Sequence, residues 1–518
     1  MEHRSFPVFG VALFLCHALL AGTFCDAQAQ PGAQTTASNS SVDASLGELQ
    51  SQVRELKQMV LQLQQETTAS RAEISKLRQE LQAQRAETYA SAPSGNEQQA
   101  ANAGSVEQQL QHLSEDEQLL TEKVDQQYQT KLESASKYRV RLSGIVLFNL
   151  FANTGYPDNQ DVPTWILRPD PMDSSGSVGG TLRQSILGFE VFGPQVFGAR
   201  SSGNVSFDFG GGFPATYNGV NFGLVRLRTA TIRLDWKDTS VIGGQDGLFI
   251  SPEQPTSFAS LITPALSYSG NLWSWTPQLR IEHRFELANH SNVSVQGGIL
   301  DPLTGELPNG YNYIWYRSPD AGEESRAPAV AARVAYSHPL MGRTFTAGLG
   351  GYYSRQSWGF GRVVNGYAAT ADWNLPLNRQ FTLSGFFYRG QAIGGLGAAL
   401  GRSVLFNGDP TLPTTQVLPL NSVGGWAQLK YQPFPKLEFN GAFGQDNPFA
   451  ADIRYFGLQS QSYNNPYITR NQAAFGNVIY RPRSDLLLSL EYRRIKTFNI
   501  FNSNWAGGQL NMAMGILF

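Results

Sequence analysis

The chain has 518 residues, 41% of them hydrophobic, 12% aromatic and only 15% charged, with a formal net charge of −2. That balance carries no electrostatic footprint for nucleic acid, and 52 glycines beside 31 phenylalanines and 20 tyrosines favour strands over helices. Cys16 and Cys25 are the only cysteines and both fall in an N-terminal leader, so a disulfide framework or a thiolate metal site is excluded from the mature protein.

The leader, residues 1–29, reads as a secretory signal peptide. Arg4 supplies the positive charge, and Phe6 to Gly22 is an apolar run broken only by Pro7 and His17. Ala27 and Ala29 then give small residues at the −3 and −1 positions of a cleavage before Gln30. The run is shorter than the ~20 residues that a spanning helix needs, and no other apolar stretch approaches that length. A membrane protein without such a helix must close as a β-barrel.

Residues 30–45 form an Ala/Ser/Thr/Gln-rich linker. A coiled coil is expected over 46–87. Leu49, Leu56, Leu63, Ser70 and Leu77 recur every seven residues, and Val53, Val60, Thr67, Ile74 and Leu81 fill the complementary seam. Pro93, Ser94 and Gly95 break it within a second linker, 88–104. A second helical segment, 105–137, keeps a weaker seam of Val106, Leu110, Leu113, Leu120 and Val124. A coiled coil needs partner helices, so the chain is expected to form a homo-oligomer.

From Tyr138 to Phe518 period-two alternation replaces helical spacing. Leu486, Leu488, Leu490 and Tyr492 alternate with Leu487, Ser489, Glu491 and Arg493; Val330, Ala332, Val334 and Tyr336 alternate with Ala329, Ala331, Arg333 and Ala335. Sixteen such segments start near residues 138, 182, 200, 223, 239, 275, 291, 327, 343, 362, 379, 422, 436, 472, 485 and 508. Short turns, such as 193–198, 338–342 and 481–484, alternate with long loops at 153–180, 251–274, 302–325, 390–421 and 446–471. Even strand number with short-long alternation predicts a transmembrane β-barrel of about 16 antiparallel strands, with turns in the periplasm and loops outside. A soluble sandwich would not alternate its connections in this way. Trp236, Trp273, Trp275, Tyr336, Tyr353, Trp373 and Tyr431 read as interfacial girdles.

The chain ends on Phe518 within an alternating strand. This resembles the signal by which outer-membrane barrels engage their assembly machinery. Leader, heptad helix, sixteen strands and terminal Phe518 together resemble outer-membrane porins with N-terminal coiled coils, of the DcaP-like type. The segment from Gly243 to Phe249 (GGQDGLF) is similar to the strand that leads into the pore loop of such porins. The resemblance implies a homotrimer in the bacterial outer membrane, among lipid and lipopolysaccharide, each barrel conducting small, often anionic, solutes.

Alternation assigns faces, and charges on the lipid face cost ~2–4 kcal/mol at mid-membrane. Arg139, Arg141, Arg233, Lys237, Arg280, Arg284, Arg333, Lys430 and Arg493 are therefore expected to line the pore, with Asp208, Asp235, Glu282, Glu438 and Glu491. Up to Lys137 the chain carries 10 Lys and Arg against 17 Asp and Glu; beyond it, 29 against 24. A mild anion preference follows, unless arginines and carboxylates pair and neutralise the wall. The third outside loop, 251–274, is expected to fold inward as a constriction presenting Glu253, Ser257, Ser260, Thr263 and Tyr268, pinned by Leu261, Ile262, Leu266 and Leu272.

Two rivals are weighed. An outer-membrane enzyme would need a Ser–His or Asp–His pair, but His290 and His338 fall in turns and His283 on the apolar phase. No cofactor or calcium-loop pattern is present. A structural tether, with the helices binding cell-wall peptidoglycan, is kept alive by the heptads, although eight strands would suffice to anchor it.

Overall fold

The computed structural model describes residues 139–172, 174–213, 223–306, 317–456 and 467–518. The leader, both expected helical segments and their linkers lie outside the described residues.

The alternating region forms sixteen antiparallel strands. They are β1 (Arg139–Thr154), β2 (in two pieces, Gly176–Thr181 and Ile186–Val196), β3 (Ala199–Asp208), β4 (Arg226–Asp235), β5 (Thr239–Gly247), β6 (Trp275–Glu286), β7 (Asn292–Leu300) and β8 (Ala329–Leu340). The second half comprises β9 (Arg343–Ser357), β10 (Val363–Pro376), β11 (Phe381–Gln391), β12 (Asn421–Phe434), β13 (Leu437–Pro448), β14 (Ile468–Tyr480), β15 (Leu486–Asn499) and β16 (Asn504–Leu517). Each pairs with its sequence neighbours, and β1 pairs with β16 from Ile145↔Leu517 to Thr154↔Gly508. That pairing closes the sheet and leaves no edge, as spanning strands require.

The two faces follow the alternation. On β15, Leu488, Leu490 and Tyr492 are exposed, while Leu487, Ser489, Glu491 and Arg493 are buried. On β8, Val330, Val334 and Tyr336 point out, and Ala329, Ala331, Arg333 and Ala335 point in. Connections at one end are tight. Phe197-Gly198 and Met341-Gly342 both take positive φ (50° and 76°; 53° and 78°), the geometry that lets a two-residue hairpin match strand twist. At the other end lie eight loops: L1 (155–175), L2 (209–225), L3 (248–274), L4 (301–328), L5 (358–362), L6 (392–420), L7 (449–467) and L8 (500–503).

Several sequence expectations are corrected. The second strand was expected from 182, but it starts at Gly176 and breaks at 182–185. Both pieces stay in register on β1, from Asn149↔Thr181 to Ile145↔Ile186. The break turns Arg183, Gln184 and Ser185 all inward, which strict alternation forbids. The last strand starts at Asn504, not 508. Lys237 sits in the turn between β4 and β5, exposed and 4.0 Å from Asp238, rather than in the lumen. Trp273 and Trp275 line internal cavities rather than a lipid girdle.

Candidate functional site

L3 lies inside the barrel, held by inward groups from much of its circumference. Asn149 on β1 donates to the Phe258 carbonyl at 2.9 Å. Gln184, freed by the break in β2, donates to the Ala259 carbonyl at 2.9 Å and accepts from the Leu261 N–H at 2.6 Å. On β4, Arg226 and Arg228 donate to the Ile262 and Leu261 carbonyls. Thr370 on β10 donates to the Ile250 carbonyl at 3.0 Å. Gln428 on β12 accepts from the Thr256 N–H at 2.7 Å. Asn477 on β14 donates to the Thr256 carbonyl at 2.8 Å. On β15, Glu491 accepts from the Ser257 hydroxyl at 2.6 Å.

Apolar packing supports the same placement. Leu261 and Phe258 rest on Ile145, Leu147, Ile479 and Leu487, apolar residues on the inward phase. Gly270 takes φ +97°, and a Cβ there would lie 2.3 Å from the Gly425 carbonyl oxygen. Glycine therefore lets the loop backbone touch the wall directly.

The inward charges are mostly paired. Arg233 bonds Asp235 at 2.6 Å and approaches Glu282 at 3.8 Å. Arg280 bridges Asp246 (2.7 Å) and Glu282 (2.9 Å). Gln296 joins Glu282 to Arg333, and Arg333 forks onto Asp372 with bonds of 2.9 and 2.6 Å. These contacts make a belt from β4 to β10. Asp208 is fully buried beneath Arg226 (2.7 Å) and Arg228 (3.4 Å), and both guanidiniums stack on Trp275. Glu491 and Arg493 pair at 2.8 Å but are sealed under L3, so they anchor the loop rather than face open lumen. Arg141 pairs with Glu190 at 3.3 Å and is largely exposed near the turn end. Arg284, also exposed there, makes no ion pair among the described residues.

Below L3 the balance differs. Lys430 (3.2 Å) and Arg481 (3.8 Å) share Glu438. Arg343 donates to Thr382 and Gln432, neither of them an acid. A cavity of about 240 Å³ there is lined by Glu253, Gln254, Arg343, Asn374 and Lys430. A second cavity, about 320 Å³, shares Gln254 and is lined by Arg228, Phe249, Trp275, Arg280 and Gln296. A third, about 300 Å³ among the outside loops, shares Trp273 and Ser274 with the second. Trp165, Tyr268, Trp273 and Trp275 run edge to face between these two, with ring centroids 5.3, 6.0 and 5.6 Å apart. Of the expected loop residues, Glu253 and Tyr268 reach cavities, Ser257 is bonded to Glu491, Ser260 is buried and Thr263 is half-buried.

The outer mouth is bounded by L4 and L6. Glu306 accepts the Ser403 N–H on both oxygens (3.0 and 2.9 Å), and burial pushes its carboxyl up to about 7. Asp301 rises to about 6 through burial and the nearby Glu323 and Asp320. Arg402, fully buried beside Glu306, falls to about 10 through the same desolvation. Among the described residues no group of three His, Cys, Asp or Glu side chains is placed to hold a metal ion.

No family model matches the chain, and no curated protein does. Among solved structures it is similar to the outer membrane channel DcaP of Acinetobacter baumannii, with 16% identity over 75% of this chain and 100% of that one and a TM-score of 0.54. The fold is that of an outer-membrane porin. The anion-selective porin of Comamonas acidovorans (12% identity, 74% of this chain, 100% of that one, TM-score 0.44) and OprB of Pseudomonas putida (12%, 73% and 94%, 0.45) are more distant in shape.

Several groups of this barrel escape a sequence reading. Asp372 lay on a readable row, inward with Ala368 and Thr370. Arg228 did not. It is the extra residue of a bulge, where Leu227 and Thr229 oppose the consecutive Phe207 and Ser206, and a bulge resets alternation. Asp246 sits in the Gly243–Phe249 segment, but its role depends on Arg280 of the next strand.

Proposed function

We propose that this chain is an outer-membrane porin through which small hydrophilic solutes diffuse passively, with a mild preference for anions. The observation that carries the reading is L3 inside a closed barrel, bonded to inward side chains of β1, β2, β4, β10, β12, β14 and β15. An inward loop narrows the lumen, and pore diameter with lining charge sets what passes. Glu253 and Tyr268 then face the path, while Ser257 seats the loop on Glu491.

The preference for anions is assigned to the region below L3. Arg343, Lys430 and Arg481 face Glu438 and Glu253 there. The belt through Arg280 and Arg333, two of the arginines that alternation assigns to the pore, is neutralised by Asp246, Glu282 and Asp372. Unbalanced positive charge on a narrow wall raises the local anion concentration. The proposal includes removal of the leader, a homotrimer, assembly through Phe518, and a periplasmic coiled coil over 46–87. The heptads support a second role for the helices, holding the barrel to peptidoglycan.

Purified full-length protein added to a planar bilayer should give stepwise, ohmic conductance. A folded barrel that inserts without conducting contradicts the proposal.

A further inference from the structure

The outward face is not uniform around the barrel. On β15 the outward row runs Leu488, Leu490, Tyr492, Arg494, Lys496 toward the loop end. Successive members are ~6.6 Å apart along the strand, so the row passes from apolar through aromatic to basic within two outward steps, Leu490 to Arg494. The neighbouring β14 ends on the same face with Arg470, paired in register with Phe498. The Arg470 guanidinium lies 4.0 Å, and the Lys496 ammonium 4.9 Å, from the Phe498 ring. The two cations thus share one aromatic platform, with Arg494 one outward position below Lys496.

No carboxylate answers them. Arg470, Arg494 and Lys496 make no ion pair among the described residues, and Arg470 Nε is buried without a hydrogen-bond partner. The adjoining stretch of L7, 457–466, contains no Asp or Glu in sequence. Arg355 on β9 and Arg389 on β11 follow the same order, directly above Tyr353 and Phe387. The loop ends of β1 to β7 carry no such outward charge; Val178, Val225 and Leu227 are exposed there instead.

We infer that the Arg470–Arg494–Lys496 face binds the phosphate groups of a lipid in the outer leaflet, a phosphorylated lipid A headgroup. The inference rests on the outer-membrane reading above. Unpaired cations directly above an apolar and aromatic band meet acyl chains with one end and headgroup phosphate with the other, and guanidinium and ammonium donors both suit phosphate oxygens.

Full-length protein extracted from outer membranes in mild detergent is examined by native mass spectrometry, as wild type and as the triple variant Arg470→Gln, Arg494→Gln, Lys496→Gln. Wild type should retain lipopolysaccharide, and the variant should lose it roughly tenfold or more, while its single-channel conductance stays unchanged. Equal retention overturns the inference, and a variant that falls to a smaller oligomer reassigns the face to a subunit contact. Loss of conductance in wild type would instead overturn the porin reading. A second arm needs no variant. Lipid A with its phosphates should slow heat unfolding of wild type on a gel, and lipid A stripped of phosphate should not. Equal protection by both, or by inorganic phosphate alone, overturns the inference.

Discussion

Arg333 on β8 reaches Asp372 on β10 across an intervening strand, because Gly348 of β9 lies between them without a side chain. A Cβ at Gly348 would sit 2.6 Å from Arg333 Nη2 and 2.7 Å from Asp372 Oδ1. The pair is nearly inaccessible to solvent, so removing one partner leaves a buried charge. Arg333→Gln should destabilise the barrel by about 3–5 kcal/mol. Gly348→Ala should have a smaller effect of the same sign, about 1–3 kcal/mol. Urea unfolding followed by heat-modifiable gel mobility measures both, and unchanged midpoints would show that the pair contributes nothing.

L3 is attached through many separate contacts, so point changes should loosen it only partly. Deleting 256–268 removes the span that rests on Asn149, Gln184, Asn477 and Glu491. Single-channel conductance should rise about twofold or more, since it follows the free cross-section. An unchanged conductance in a folded barrel would place the constriction elsewhere.

Docking of L4 on L6 should depend on pH through Glu306. Its carboxyl is raised from 4.5 to about 7 by burial, against the pull of the Ser403 N–H and Arg402. A raised acid favours its protonated form in the docked state. Docking is therefore strongest at low pH and weakens as pH rises above 4.5 and through 7. Hydrogen exchange at 303–306, corrected for intrinsic rates, should quicken between about pH 5 and pH 8 in wild type, and less steeply in Glu306→Gln, where Asp301 still titrates in that range. Matching pH profiles would exclude Glu306 as the titrating group.

The strand plan was readable because a membrane imposes it. Lipid on one side and a polar lumen on the other force a period of two that no local propensity overrides, and the observed strands begin close to where alternation places them. The third loop carries Leu261 and Leu266, apolar residues that in a loop need a surface to cover. The pairing of charges was not readable. Arg333 and Asp372 are 39 residues apart, and whether they meet depends on register and on a glycine in the strand between. The break at Arg183–Ser185 and the bulge at Arg228 hid two anchors of L3, because each resets the face that alternation would assign. Trp273 and Trp275 were misread as girdle residues because they stand where a loop enters a strand and the alternation has not yet begun.

Charge in the lumen can be apportioned by substitution. Arg343→Gln with Lys430→Gln should reduce chloride preference, since these residues face the cavity below L3 with Glu253 as the acid on its lining. Arg280→Gln with Asp246→Asn, which removes a matched pair, should change it little. The reverse ranking would place the filter in the belt.

The most direct test is the zero-current potential of the reconstituted wild-type channel in a planar bilayer under a potassium chloride gradient. A sign showing chloride more permeant than potassium is predicted, diminishing as ionic strength rises and screens the wall. A sign showing potassium favoured over chloride would contradict the account.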